Sequence, residues 1–305
     1  MDFHKFPINQ SIIKTFLHNG EERQFCLRKV YLMRIARTIS EPASEPMMLG
    51  RYFESMILGK SARGQYTDDL PRKKLTKKVI AENAVRKANK LPLLKGEKYL
   101  HQIKIDEQIA RFKALAKKYK VIITDYNVQV PILTVWDQDP DVLLSAELDV
   151  FPTTILLEDE LNAAIIDLKL TSDIHNEYGE YCYGKPEYLD LIQGKMYHYV
   201  VRNINENLNP HLAGIITDSI KRLIEQNRIM FLLWVFNYKG AELEDKFIRI
   251  NWDKNKESEL HESIRKTKAI LEYGESNDWP TNPEYSLCKN CLNKECPDRA
   301  KIQTV

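Results

Sequence analysis

The sequence predicts an α/β protein, a mixed central sheet with helices on its faces. Three observations carry that expectation. Apolar residues recur at helical spacing through much of the first 120 residues. Segments rich in β-branched and aromatic residues follow between 121 and 170 and again between 229 and 252. Helical segments lie between and after those strand runs. The chain has 305 residues, 43% hydrophobic and 29% charged, which suits a globular protein with a full core and excludes a disordered or fibrous one. No internal repeat and no long Pro/Gly/Ser-rich divider interrupts it, so the expectation is one domain over 1–305 with an elaboration.

Taken in order, Ser11 is the expected N-cap of a helix reaching Phe16, and Phe25 to Arg37 reads as a second helix. Gly50 to Leu58 is a third. Lys77 to Tyr119 is rich in Lys and Ala and reads as mostly helical, broken near Leu91 and Pro92. Strands are expected over Val121 to Leu133, Val142 to Phe151 and Ala163 to Leu170, with the turn-like Glu158-Asp159-Glu160 before the last. Pro186 suits the first turn of a helix running to about Val201. Strands at Ile229 to Tyr238 and Lys246 to Trp252 precede a helix from Glu257 to about Tyr273 and an irregular tail. The single domain thus divides into N-terminal helices (1–60), a basic helical insertion (61–120), a core (121–273) and a tail (274–305).

The net charge of +2 hides an asymmetry. Between Pro71 and Lys120 stand 16 Lys/Arg against four acids, a net of +12 that leaves −10 for everything else. Such a block suits the neutralisation of phosphates, although charge alone does not specify a polyanion and a solvated helical face is the plainer reading. The longest apolar run, Ile229 to Phe236, is far shorter than the ~20 residues that span a bilayer. The first ten residues lack the blocks of a secretory signal, so the expectation is a cytoplasmic protein with no membrane partner.

Of five cysteines, Cys288, Cys291 and Cys296 form C-x2-C-x4-C, while Cys26 and Cys182 stand alone. In a reducing compartment this clustering reads as a metal or iron–sulfur site before it reads as disulfides, because thiolates are soft ligands. Three thiolates need a fourth ligand. The nearest preceding histidine, His261, is 27 residues upstream, so a distant cysteine is expected, and spacing does not choose between Cys26 and Cys182.

The chemistry is expected around Ile165-Ile166-Asp167-Leu168-Lys169-Leu170. Side chains two apart on a strand share a face, so Asp167 and Lys169 point the same way. A turn near Asp159 sets Asp149 across from them if the strands are antiparallel, with opposed Cβ atoms ~5 Å apart. Two acids on apolar strands repel unless a cation neutralises them, and a hard divalent ion, Mg²⁺ first, suits an oxygen site. Spacing alone is weak: Glu244-Asp245-Lys246 also fits E-x-K but sits in a polar turn. Gln193 and Tyr197, four apart, share one face of the following helix, and Gly194 within it suits a close approach. Glu54 offers a third carboxylate from a helix.

Together, Gly50-x3-Glu54, Ala146-Glu-Leu-Asp149, Asp167-Leu-Lys169 and Gln193-x3-Tyr197 resemble, in order and spacing, the RecB-like branch of the PD-(D/E)XK nuclease superfamily. One cysteine ahead and three behind extend the resemblance to CRISPR-associated iron–sulfur exonucleases and the AddB nuclease domain. The resemblance covers the whole chain except the basic block. It departs from the family where Glu54 replaces the usual histidine, Ala146 a frequent glycine and Leu27 a common proline after the first cysteine.

The resemblance implies a restriction-endonuclease-like fold and a metal-dependent DNA nuclease, an exonuclease, acting in DNA processing, repair or recombination. Asp149, Asp167, the Leu168 carbonyl and Glu54 would hold Mg²⁺ or Mn²⁺. Lys169 would position water and stabilise charge, while Gln193 and Tyr197 would contact the nucleic-acid backbone or align the active strand. Cys26, Cys288, Cys291 and Cys296 would hold a [4Fe-4S] cluster stapling the N-terminal region to the tail, and structural Zn²⁺ suits four cysteines equally. The partner implied is DNA, single-stranded or with single-stranded ends. Gly59-Lys60-Ser61 lacks the rest of a phosphate-binding loop, so a helicase or recombinase would act in trans. The alternatives are a nucleic-acid-binding protein that keeps this fold without cleavage, and an RNA-directed nuclease.

Overall fold

A strand covered on both sides needs a run of apolar side chains, and residues 229–236 supply it; with Asn237, all nine residues of the strand Ile229–Asn237 are buried. Ile229, Phe231, Leu233 and Val235 enter one core, and Met230, Leu232, Trp234 and Phe236 the other. This strand lies inside a six-stranded sheet in the computed structural model, which describes residues 1–40, 43–61, 64–65, 73–175, 191–240, 242–282, 291, 293 and 296.

The sheet comprises β1 (Ile8–Asn9), β2 (Val128–Trp136), β3 (Asp139–Leu157), β4 (Glu160–Thr171), β5 (Ile229–Asn237) and β6 (Asp245–Ile250). Its order is β1-β3-β4-β5-β6, with β2 also paired to β3. β1 runs parallel to β3 and β4 parallel to β5, whereas β2–β3, β3–β4 and β5–β6 are antiparallel. The helices are α1 (Gln10–Phe16), α2 (Leu27–Val30), α3 (Glu45–Leu58), α4 (Lys77–Ala88), α5 (Leu100–Lys118), α6 (Ile192–Arg202), α7 (Asp218–Glu225) and α8 (Lys254–Ser276). The expected fold class, a mixed central sheet flanked by helices, is the one the chain adopts. No helix among the described residues is long and apolar enough to cross a membrane.

The two faces carry separate layers. α1, α6 and α8 cover the first core with Ile13, Phe16, Met196, Val200, Leu260 and Ile264. α3 and α5 cover the second with Tyr52, Phe53, Ile105, Ile109 and Phe112. α5 therefore belongs to the sheet's covering layer although it lies in the basic block; α4 buries no side chain. Some of the block's charge is tied down, as where Arg111 pairs with Asp245 at 2.8 Å, while Lys113, Lys117 and Lys118 are exposed.

Several elements depart from the sequence reading for local reasons. α1 is capped by Asn9 rather than Ser11: the Asn9 side chain accepts the Ile12 N–H at 3.0 Å. The expected second helix is shorter, with α2 passing into a π-helical turn over Tyr31–Ile35. β2 begins at Val128, not Val121, because Asn127 ties residues 122–127 into a turn through Thr124 N and Ile122 O. α7 was not expected; Thr217 caps it and Ile220, Leu223 and Ile224 give it an apolar stripe. Pro186, the expected start of the helix ending near Val201, lies outside the described residues.

Burying a large apolar side chain is worth roughly 1.5–3 kcal/mol. Truncating Phe112, which sits 4.8 Å ring to ring from Trp234, adds a cavity to that loss. Phe112→Ala is therefore expected to cost about 3–5 kcal/mol in urea denaturation. Ile80→Ala on α4, where Ile80 is exposed, should stay within about 0.5 kcal/mol of wild type.

Candidate active site

Strand register brings the polar residues of the sheet into one row. Val128↔Val150 and Val130↔Leu148 bracket Gln129 and Asp149, so these two stand opposite each other on β2 and β3. Val150↔Ile166 carried on by one residue sets Asp149 opposite Asp167 on β4. The β3–β4 hairpin turns on Glu158 and Asp159, both at positive φ, as a two-residue turn requires. Between the turn and the row the register shifts by one residue at Phe151-Pro152, where Pro152 has no N–H to give the ladder. Asn127 seals this bulge: its carbonyl accepts the Phe151 N–H at 2.8 Å and its side chain donates to the Pro152 carbonyl at 3.1 Å.

At the same level the side-chain alternation of β2 and β3 reverses. Val128 and Val150 belong to the second core, whereas Val130 and Leu148 belong to the first. Residues from both helical layers consequently reach the row. Glu54 comes from α3, and its Oε1 accepts from Gln129 Nε2 at 2.6 Å; the same nitrogen lies 3.3 Å from Asp149 Oδ1. Asp149 Oδ2 accepts the Leu168 N–H at 2.8 Å. From α6, Gln193 Nε2 donates to Asp167 Oδ1 at 2.5 Å and lies 3.2 Å from the Tyr197 hydroxyl, which donates to the Glu147 carbonyl at 2.8 Å. α6 reaches this depth because Gly194 lies against the sheet, where an added Cβ would stand 2.9 Å from Phe231 and 3.0 Å from Ile250.

Lys169 pairs with Asp167 Oδ2. That oxygen is buried, and the Lys169 ammonium supplies its positive charge. Asp167 is 1% exposed, whereas the Lys169 side chain keeps 33% of its surface in contact with solvent. The structure thus gathers Glu54, Asp149, Asp167, Lys169, Gln193 and Tyr197 in one place, with Leu168 contributing its amide to Asp149. Gln129 escaped the sequence reading; the available signal was a lone amide between two valines on the strand beside the acidic motif.

Burial dominates the electrostatics. It holds the Asp149 carboxyl well above the ordinary carboxylate range, and repulsion from Asp167 and Glu54 adds to it while Lys169 opposes. Glu54 is raised too, by burial first and by Asp167, against the opposing Lys169. Burial, then Asp167 and Asp149, pushes the Tyr197 phenol well above its usual value, so it stays protonated and donates.

Three carboxylates from three elements form an all-oxygen donor set of the kind that suits Mg²⁺ or Mn²⁺. The buried Asp167 Oδ2 already draws positive charge, from the Lys169 ammonium, which is what such an ion would supply. In this arrangement the acids face Gln129 and Lys169 instead of converging, and among the described residues no group of three or more His, Cys, Asp or Glu side chains is arranged to hold a metal.

Towards the other end of the chain, residues 279–282 dock beside Cys26. The Arg28 N–H donates to the Pro280 carbonyl and Asn282 Nδ2 to the Phe25 carbonyl, each at 3.2 Å, and Trp279 stacks on Tyr31 with ring centroids 5.2 Å apart. Cys26, Cys291 and Cys296 are half-buried. Cys288 and Cys182 lie outside the described residues.

No protein-family model matches the chain, and no curated protein sequence matches it. Among solved structures, the chain is similar to one named a "putative exonuclease" from Eubacterium rectale. The two are 18% identical, the match covers 88% of this chain and 81% of that one, and the TM-score is 0.49.

Because the folded state holds the Asp149 proton more tightly than the unfolded chain does, Asp149 costs more stability as pH rises above the ordinary carboxylate range. Each unit of raised pKa is worth about 1.4 kcal/mol. Asp149→Asn is therefore expected to raise the melting temperature in chelator-containing buffer, with a larger gain near about pH 8 than near about pH 5. Thermal denaturation of both proteins across that range measures the gap.

Proposed function

We propose that this chain is a metal-dependent nuclease of the PD-(D/E)XK superfamily, RecB-like branch, that hydrolyses phosphodiester bonds in DNA. The observation that carries the reading is the gathering of Asp149, Asp167 and Lys169 by strand register and of Glu54 by α3 into one place, with Asp167 buried and the other three half-buried. A cation held by the three carboxylates and the Leu168 carbonyl would lower the pKa of a bound water and offset charge on the phosphate.

The chain's own residues do the rest. Lys169, partly open to solvent, stands where it can orient the attacking water and stabilise charge developing on the phosphoryl oxygens. Gln193 fixes Asp167 by its amide, and the protonated Tyr197 hydroxyl ties that amide to the Glu147 carbonyl, so α6 keeps the carboxylate aimed. Exposed lysines such as Lys113 and Lys117 give the phosphate backbone a surface to track. We read the activity as exonucleolytic, on single-stranded DNA or single-stranded ends, in DNA processing, repair or recombination, with a helicase or recombinase acting in trans. Cys26, Cys288, Cys291 and Cys296 are assigned to a [4Fe-4S] cluster, with Zn²⁺ as the alternative; the docking of the tail beside Cys26 supports a staple there.

One feature favours a second reading, a binding protein that does not cleave: Gln129 and Lys169 already satisfy much of the acidic row. Digestion of end-labelled single- and double-stranded DNA with Mg²⁺ or Mn²⁺ under anaerobic conditions separates the two. Wild type is expected to cut, and Lys169→Ala to lose about 10²-fold or more in rate while still binding DNA. Binding without cutting by both proteins would establish the second reading, and cleavage of RNA alone would redirect the substrate. Separately, anaerobically purified protein is expected to be brown, with the visible absorption lost in Cys26→Ser; zinc without colour on metal analysis would replace the cluster.

A further inference from the structure

Gln129 breaks the conformational rule of its own strand. Its φ is +50°, in the left-handed region, although Val128 and Val130 on either side remain paired in the β2–β3 ladder. Left-handed backbone at a long side chain within a strand persists only where the surroundings hold it, and it is concentrated at functional sites. Here it accompanies the reversal of side-chain alternation and leaves Gln129, 8% exposed, with its amide against the acidic row.

That amide sits where two carboxylates most need positive charge. Nε2 is 2.6 Å from Glu54 Oε1 and 3.3 Å from Asp149 Oδ1, so one NH₂ group bridges the two acids. A half-turn about the last side-chain bond exchanges Nε2 for Oε1 and moves nothing else. Three oxygens would then face one another, an arrangement that repels when empty and is favourable around a hard divalent cation.

We propose that Gln129 is a member of the cation site. Its NH₂ group bridges Glu54 and Asp149 when no ion is bound, and its amide turns to present Oε1 as a neutral ligand when Mg²⁺ or Mn²⁺ enters. This rests on the metal-dependent reading above and adds a residue to it. It also turns the group between Glu54 and Asp149 from a donor into an acceptor without moving a backbone.

The test is Mn²⁺ binding to the DNA-free protein, by calorimetry and by the electron paramagnetic resonance signal of unbound Mn²⁺, alongside melting temperatures with and without the ion. Gln129→Glu puts an added charge at the ligand position. It should bind Mn²⁺ roughly tenfold more tightly than wild type and melt lower when metal-free, with Mn²⁺ reversing the loss. Gln129→Met removes the ligand and should weaken binding by roughly tenfold. Wild-type affinity in Gln129→Met, or no gain in a folded Gln129→Glu, overturns the proposal; if Gln129→Glu does not fold without metal, Gln129→Met decides. A folded wild type that binds no Mn²⁺ overturns the metal-dependent reading as well, whereas a wild type that binds while the variants match it overturns only the role of Gln129.

Discussion

Three carboxylates share one place at the sheet centre with Lys169, and that concentration of like charge is the constraint around which the rest of the structure is arranged. Asp167 is buried and Glu54 and Asp149 are half-buried, so much of the water that would solvate these acids is replaced by fixed dipoles. The Leu168 amide, the Gln129 and Gln193 carboxamides and the Lys169 ammonium each take part of the charge. Each donor is itself held by register or by a helix. Removing one would leave a carboxylate to be neutralised by a proton, which is the direction in which burial already pushes Asp149 and Glu54.

The fold serves this arrangement through one irregularity. A strictly alternating sheet would hand the row to one helical layer and seal it from the other. The reversal at Gln129 and Asp149 lets α3 contribute Glu54 from one layer while α6 contributes Gln193 from the other. The bulge at Phe151-Pro152, closed by Asn127, adjusts the hairpin register so that Asp149 and Asp167 still meet.

Much of this could be read from the sequence, because the signals involved are local. Asp167 and Lys169 are two apart on an apolar strand, and the acidic turn at Glu158 and Asp159 identifies the hairpin that pairs Asp149 with them. Gln193 and Tyr197 follow from helical spacing. What the sequence hid depends on long-range geometry. α5 carries ten polar or charged residues for every reason to look like a solvated insertion, yet Ile105, Ile109 and Phe112 put it over the sheet. Gln129 looked like an ordinary strand residue, since neither its φ nor the strand switch has a one-residue signature. The start of β2 was missed because a side chain, Asn127, overrides β propensity in residues 122–127.

The close seating of Gly194 against Phe231 and Ile250 has a bearing on how this protein tolerates change. A methyl group there meets the Phe231 and Ile250 side chains, so that either they give way or α6 lifts from the sheet with the neighbouring Gln193, and a residue without functional atoms bears on the reach of one with them. In a saturation screen scored by activity, the map of intolerant positions would extend past the polar groups to the apolar floor beneath the helix, where selection acts on thickness and not on reactivity.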